Sequence, residues 1–364
     1  MKVLFLGTDA FGGRGGIANY NRCMIRALAE SPHVASVKVL LLSIQDPLSV
    51  VPDGVQILEG AARSRTRFVL EALRQGVLGA DLVVCGHVNL GPLARAVSCL
   101  SRAPYVVQVH GVDVWERPAS RHRQAALEGA SEIWSVSRFT VDRLMQWCRF
   151  DFERVRVMPN MIDLDLFKPG ARNTALMQRY GLEGKQVLLT LARLDAREKY
   201  KGIDEILRVM PRMLAQRPDL AYLVVGDGDD RTRLEEKAVN LGLAESVVFT
   251  GYVSEEEKLD TIRLAQAFVM PGRGEGFGIV YLEALACGVN VVGSCLDASA
   301  EALMNGRLGA VVDPDSQESL IEGVFAALDA GSPRRDLLEH YSWGAFAQRI
   351  QGAAEAWARR VGSG

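Results

Sequence analysis

Long apolar runs are missing from this chain of 364 residues. None reaches the roughly 20 residues that a membrane-spanning helix needs, so the sequence does not read as an integral membrane protein. Val3-Leu-Phe-Leu6 is too short for a signal segment and runs straight into glycines, so it reads as a first strand. Paired cysteines are missing as well. Cys23, Cys85, Cys99, Cys148, Cys287 and Cys295 contain no C-x-x-C pair and mostly sit in apolar stretches, as buried reduced thiols do, which points to the cytoplasm. A strong charge of either sign is missing: the formal net charge of −2 does not suit a nucleic-acid partner. Histidine is scarce, at five. Neither a G-x-G-x-x-G fingerprint nor a Gly-Lys-Ser/Thr phosphate loop occurs in the glycine-rich segments, and no residue announces itself as a covalent nucleophile.

Charged residues make up 24% and hydrophobic ones 48%, the balance of a globular protein long enough for two domains. Apolar strand-like runs alternate with helical patterns throughout, which predicts an α/β architecture with parallel sheets. Strands are expected at 2–7, 37–42, 82–85, 105–109 and 133–136, then at 187–192, 221–225, 247–249, 267–270 and 290–293. Between the two sets lies Met158-Pro-Asn-Met-Ile-Asp-Leu-Asp-Leu-Phe-Lys-Pro169, proline-bounded and read as a linker. The expected division is 1–165, completed by a helical tail at about 345–364, and 166–344. Two such Rossmann-like domains imply parallel sheets facing a central cleft, with ligands at the carboxyl ends of the strands.

The most informative stretch is Pro271-Gly-Arg-Gly-Glu275-Gly-Phe-Gly-Ile-Val-Tyr-Leu-Glu283. An apolar strand precedes it and a helix beginning near Ile279 follows, so a glycine turn meets a helix N-terminus whose free N–H groups and dipole favour an anion. Glu275 lies on the loop, where it can meet a neutral polar group. Glu283 lies about one turn into the helix, where a carboxylate can accept two hydrogen bonds from a diol such as ribose. A phosphate flanked by two sugar-binding carboxylates suggests a nucleotide sugar.

Other strand ends carry further candidates. Gly12-Gly-Arg-Gly-Gly16 opens a helix after the first strand, and Gly15 and Gly16 allow close backbone approach by a diphosphate or sugar. His110 in Gln108-Val-His-Gly-Val-Asp113 can donate to a sugar hydroxyl, with Asp113 orienting it or touching the acceptor. Arg193, with Lys199 or Lys201 ahead of Gly202, can neutralise a leaving diphosphate. Gly226 begins a turn on the nucleotide side, and Gly251-Tyr-Val253 borders the base. Asp163-Leu-Asp165 resembles a metal-binding pair, but it falls in the linker and reads as a turn; no obligatory metal and no cofactor are expected. Residues 1–165 carry three more basic than acidic residues and the remainder five fewer. Arg63, Arg65 and Arg67, with Arg121 and Arg123, form a basic patch suited to anionic lipid or a phosphorylated acceptor.

In order and spacing these motifs resemble the retaining GT-B glycosyltransferases of family four, the group related to sucrose synthase, bacterial phosphatidylinositol mannosyltransferases and lipopolysaccharide glucosyltransferases. The resemblance covers nearly the whole chain and is strongest over 187–315; it includes Val136-Ser-Arg-Phe-Thr140 and Pro159-Asn-Met-Ile-Asp163. It implies that Arg193 and the lysine before glycine grip the donor diphosphate, that Glu275 contacts the transferred sugar, and that Glu283 holds the ribose. Backbone amides of Phe277, Gly278 and Ile279 would meet donor sugar or phosphate. The glycine loop would close on the donor, His110 would touch the sugar near its reacting carbon, and the first domain would select the acceptor. Two departures stand out: Arg193 and Lys201 are further apart than is usual, which leaves Lys199 open for the phosphate role, and Met161 replaces the glycine common in the Pro-Asn-Gly turn.

The implied reaction is retaining, metal-independent transfer of a hexose from a UDP- or GDP-sugar to a glycan or lipid-linked acceptor. Such an enzyme would belong to bacterial exopolysaccharide, lipopolysaccharide or glycolipid assembly, at the inner face of the cytoplasmic membrane. A disaccharide phosphorylase or a nucleotide-sugar epimerase of related fold is the alternative, followed by a nucleotide-sugar sensor without activity.

Overall fold

The computed structural model describes residues 1–13, 15–44 and 50–362; Arg14 of the glycine loop lies outside the described residues, as does the side chain of Arg63. Among the described residues, runs rich in valine, leucine and isoleucine become two sheets in which every pairing between strands is parallel. The first contains β1 (Lys2–Gly7), β2 (Ser36–Leu41), β3 (Val55–Ile57), β4 (Leu82–Cys85), β5 (Tyr105–Val109), β6 (Glu132–Ser135) and β7 (Val155–Val157), in the order β3-β2-β1-β4-β5-β6-β7. The second contains β8 (Gln186–Leu191), β9 (Leu220–Val225), β10 (Val247–Gly251), β11 (Ala267–Val269), β12 (Asn290–Ser294) and β13 (Ala310–Val312), ordered β10-β9-β8-β11-β12-β13. Helices cover both faces of a parallel sheet, which is why strands such as Leu82-Val-Val-Cys85 are apolar at every position and buried throughout.

Ten of these strands are predicted from the sequence to within one or two residues. The other three, β3, β7 and β13, are missing from that reading, and each is a three-residue strand at a sheet edge. An edge strand buries less of its surface and needs no continuous apolar run, so its signal is weak. In each sheet the strand order reverses beside the first strand, between β1 and β4 and between β8 and β11. Ligands of open α/β sheets bind at such reversals, outside the carboxyl ends of the strands.

The chain divides into two compact units, Met1–Met161 with the chain from Trp343 onward, and Ile162–Ser342. Residues 162–165 thus pack with the second unit rather than the first. The reason is local: Ile162 N–H donates to the Tyr341 carbonyl at 2.8 Å, and Arg335 Nη2 donates to the Leu164 carbonyl at 2.8 Å.

In the first unit the helix Trp343–Gly362 packs on the helix Gly16–Ala29, with the Arg26 guanidinium 4.1 Å from the Trp343 ring centre and Tyr20 edge-on to Phe346. Its far end is held by Glu132, a buried carboxylate at the start of β6. Glu132 accepts from Arg156 at 2.8 and 3.1 Å, from the indole N–H groups of Trp134 (3.0 Å) and Trp357 (3.2 Å), and from Arg360 at 3.1 Å. Burial by itself would push this carboxyl up; the hydrogen bonds from Arg156 and Trp134 and the two arginine charges outweigh it and hold it below its ordinary 4.5. A depressed carboxyl stabilises the fold above its unfolded value, and that contribution disappears as pH falls through the folded one. Replacing Glu132 by Ala leaves two buried indole donors unpaired, at about 1–3 kcal/mol each. Thermal melts near neutral pH are expected to show a loss of that order, narrowing as pH drops below 4.5; a difference that does not change with pH would rule out the carboxylate as its source.

Candidate functional site

The second unit assembles its candidates at the β8/β11 reversal. The loops following these strands touch through their backbones: Arg273 N–H donates to the Tyr200 carbonyl at 2.8 Å. Only small residues allow this. Gly202 has φ +84°, and a Cβ there would lie 2.6 Å from the Pro271 carbonyl oxygen; a side chain on Gly274 would overlap the Tyr200 ring. The loop bearing Glu275 is held again from β12, because Asp297 Oδ2 accepts from Glu275 N–H at 3.0 Å and Ala298 N–H donates to the Glu275 carbonyl at 3.0 Å. Asp297 is buried and also accepts from the Ser299 amide and hydroxyl, at 3.0 and 2.6 Å. Burial nevertheless pushes its carboxyl up to about 6.

Charge converges on this junction. Lys201 Nζ forms an ion pair with Glu275 Oε1 and lies 4.0 Å from Glu198 Oε2, while Arg193 Nη2 donates to Glu198 Oε1 at 2.6 Å. Burial works against the Lys201 cation, yet the Glu275 charge and hydrogen bond outweigh it and raise its pKa. The two candidate lysines separate clearly. The Lys201 side chain is 18% exposed and faces Glu275; that of Lys199 is 51% exposed and points to Asp230 at 3.7 Å. Of the two lysines that the sequence spacing left open for the diphosphate, Lys201 is the one beside Glu275.

Beside the ion pair the helix Ile279–Ala286 begins. Gly278, at φ +84°, forms its N-cap with no side-chain cap, and its first turn carries no acidic residue. The opening amides of a helix have no intrahelical acceptor, so those of this turn offer positive potential. Phe277 packs edge-on to Tyr341 at 5.5 Å, and the Tyr281 hydroxyl donates to the Met270 carbonyl at 2.7 Å, fixing helix to strand. One turn in, Glu283 is 5% exposed and accepts from Lys258 Nζ at 2.7 Å. Burial raises its carboxyl, and the Lys258 charge opposes the rise. Arg193, Gly226 and the Gly251–Val253 stretch meet at the ends of β8, β9 and β10: Leu194 N–H donates to the Asp227 carbonyl and Gly226 N–H to the Gly251 carbonyl, each at 3.0 Å.

The first unit gathers the rest at its own reversal. Gly15, at φ +96°, precedes the helix Gly16–Ala29, whose side chains hold the glycine loop: Arg22 donates to the carbonyls of Ala10 (2.7 Å) and Gly13 (2.8 Å), and Asn21 to that of Asp9 (2.9 Å). Tyr20 of the same helix packs edge-on to His110 at 5.4 Å. His110 Nε2 lies 2.9 Å from the Gly86 carbonyl. A carbonyl only accepts, so Nε2 carries the proton and Nδ1 is the acceptor of the neutral ring. Of the two roles the sequence left Asp113, the structure shows a contact with His110: its two oxygens lie 3.1 and 3.3 Å from His110 N–H, so the carboxylate closes the turn that carries His110. Asp163 Oδ1 accepts from the amides of Asp165 and Leu166, both at 3.0 Å, which makes the Asp-x-Asp pair a turn. Among the described residues no cluster of three or more His, Cys, Asp or Glu suited to a metal occurs.

Sequence reasoning passed over Lys258, Asp297 and Glu198. Lys258 sits in the charge run Ser254-Glu-Glu-Glu-Lys258, which reads as a solvated helix face, and nothing local marks Asp297 as the support of a loop 22 positions earlier.

Burial lowers the His110 pKa from 6.5 to about 4 and raises that of Asp113 to about 7. The unfolded chain binds a proton at the histidine below 6.5 while the folded one does not, so this residue costs stability as pH falls from 6.5 towards 4. Asp113 acts oppositely, costing stability as pH rises from 3.8 towards 7. The ring-nitrogen NMR shifts of His110 are expected to stay those of the neutral Nε2–H tautomer down to about pH 5 and to move near 4; titration near 6.5 would contradict the half-buried, hydrogen-bonded ring.

Two domain families match the chain: Glycosyltransferase Family 4 over residues 14–166 and Glycosyl transferases group 1 over residues 173–341. The chain is 35% identical over 257 residues to the GDP-mannose-dependent alpha-(1-6)-phosphatidylinositol monomannoside mannosyltransferase of Mycolicibacterium smegmatis, covering 68% of this chain and 65% of that protein. It is 34% identical over 205 residues to the phosphatidyl-myo-inositol mannosyltransferase of Mycobacterium tuberculosis, covering 53% of this chain and 52% of the relative. The matched stretches thus span about two thirds and one half of these relatives. The crystal structure of Anabaena HepE in complex with UDP and glucose superposes with a TM-score of 0.75 at 19% identity, covering 98% of this chain and 100% of that one. With two parallel Rossmann-like sheets and both domain families in order, the chain belongs to the GT-B glycosyltransferases.

Proposed function

We propose that the protein is a retaining glycosyltransferase that moves a hexose from a UDP- or GDP-sugar to a hydroxyl of a glycan or lipid-linked acceptor. The observation that carries this reading is the convergence of Arg193, Lys201, Glu275 and an uncapped helix N-terminus at one strand reversal. A leaving nucleoside diphosphate gains negative charge as its bond to the sugar breaks, and preorganised cations and amides stabilise that charge most. Arg193 and Lys201 take the diphosphate together with the amides of Phe277, Gly278 and Ile279. Glu275, already fixed by Asp297 and the Lys201 charge, accepts from the sugar hydroxyls. Glu283 accepts from the ribose, and Gly226 and Val253 lie on the side of the base. In the first unit, the acceptor-binding one, Gly15, Gly16 and His110 are the candidate sugar-binding residues, and Asp113 keeps the His110 backbone in place.

The step breaks the bond between the anomeric carbon and the phosphate oxygen and forms the new glycosidic bond on the same face. The acceptor proton passes to the departing phosphate oxygen, so neither a protein nucleophile nor a metal is required. GDP-mannose, named for the mycolicibacterial relative, and UDP-glucose, bound in a crystal structure of HepE, are the first donors to try. With the cognate donor, transfer is expected to proceed in the presence of chelator and to give product with the anomeric configuration of the donor by NMR. Arg193→Ala is expected to weaken calorimetric binding of the matching diphosphate at least about tenfold (1.4 kcal/mol). An inverted product would end the retaining reading, and unchanged binding would remove Arg193 from the diphosphate site.

A cytoplasmic protein peripheral to the membrane is the setting that the surface of the first unit favours. The helix Arg65–Leu78 exposes Arg65 and Arg67 together with Val69, Leu70, Val77 and Leu78, and beside it opens a groove of about 580 Å³ lined by Leu58, Glu59, Ala61, Arg67, Leu70 and the Arg74–Glu71 pair, 2.9 Å apart. Basic and apolar side chains on one exposed face suit anionic lipid. Co-sedimentation with phosphatidylglycerol vesicles is expected for the wild type and not for an Arg65→Ala/Arg67→Ala/Leu70→Ser variant; equal sedimentation of the two would leave the patch without that role.

A further inference from the structure

The pairing of Lys258 with Glu283 has no place in the roles assigned so far. Lys258 projects from the helix Glu255–Arg263 against the helix Ile279–Ala286, and both side chains are largely withdrawn from water, 15% and 7% exposed. Around Lys258 Nζ stand Glu283 Oε1 at 2.7 Å, the exposed Glu255 at 3.9 Å and the Phe167 ring at 5.6 Å. The other carboxylate oxygen, Glu283 Oε2, is buried and has no hydrogen-bond partner within the protein. A buried ion pair is poor value as a stabiliser, because desolvation offsets most of its attraction and an apolar pair often does as well. Leaving one oxygen unpartnered makes this pair worse still on grounds of stability alone.

The arrangement makes sense for a ligand that brings its own donors. A vicinal diol offers two O–H groups, and a carboxylate with a vacant oxygen accepts them; a protonated carboxyl would present a donor of its own instead. We propose that Lys258 is a positioning residue of the donor site, fixing Glu283 as an ionised acceptor with Oε2 kept for the ribose hydroxyls of the nucleoside diphosphate. This rests on the donor-site reading given above. Burial favours the neutral form of Glu283, and the ammonium group one hydrogen bond away is the charge that opposes it. Held at Oε1, the carboxylate also loses a rotation that would otherwise compete with ribose binding.

The test compares calorimetric affinities of UDP and GDP, their 2′,3′-dideoxy counterparts and inorganic pyrophosphate for the wild type, Lys258→Met and Lys258→Met/Glu283→Gln. Methionine keeps an unbranched side chain of similar length, and melting curves establish that each variant is folded. The wild type is expected to prefer the cognate ribonucleotide over its dideoxy form by about tenfold or more, as hydrogen bonds to a charged acceptor do. In Lys258→Met that preference should shrink to within about twofold, with pyrophosphate affinity nearly unchanged and no further loss in the double variant. A preference retained in Lys258→Met overturns the inference. So does an equal weakening of all ligands, pyrophosphate included, which would make the lysine a packing residue. A wild type that binds UDP or GDP without discriminating the dideoxy form refutes the ribose contact but leaves the donor site standing; a wild type that binds neither removes both.

Discussion

The contact between the loops after β8 and β11 is the constraint on which the candidate site depends. Two backbones lie close enough for Arg273 N–H to donate to the Tyr200 carbonyl, and they can do so because Gly202 and Gly274 carry no side chains. Lys201 is thereby held next to Glu275 although 74 positions separate them. The parallel sheet supplies the reason for the meeting. Strands β8 and β11 are neighbours while the chain between them builds β9 and β10 on the other side, so their carboxyl-end loops have nothing between them. Arg273 braces the junction from outside through Glu205, at 2.6 Å, and Asp315.

Buried charge is balanced differently in the two units. In the first, Glu132 is saturated by two arginines and two indoles, and its use is mechanical: it ties the end of the C-terminal helix to β6. In the second, Glu275 and Glu283 each pair with one lysine, and Glu283 keeps an oxygen unpartnered. Saturated networks hold structure, whereas a partly satisfied buried carboxylate remains able to accept from a ligand. Asp297 stands between these cases. It is neither exposed nor ion-paired, and through the Glu275 amide it sets where the neighbouring carboxylate sits.

The legible part of the fold was the part that burial writes into composition. Central strands covered on both faces are apolar at most positions, so β1, β4, β5, β8 and β9 stand out from their surroundings. The edge strands β3, β7 and β13 obey no such rule and were invisible. Likewise the glycine turn and helix of 271–286 were readable because a strand, a turn without side chains and a helix start are all local features. The partners of the acidic residues were not. Asp113 could be read as orienting His110 or as touching a ligand, and the structure shows it closing the His110 turn; Lys199 and Lys201 were both open for one role, and only Lys201 faces Glu275.

The sequence by itself determined two α/β units and the set of glycines, carboxylates and cations at strand ends. It could do so because strand periodicity, turn chemistry and helix termini act over a few residues. Tertiary structure alone decided which cation meets which carboxylate, that Lys258 lies beneath Glu283 rather than in water, and that Asp297 carries the Glu275 loop. Those outcomes depend on strand order and on the packing of helices distant in sequence, where a charged side chain has the same composition whether it is solvated or buried against its partner.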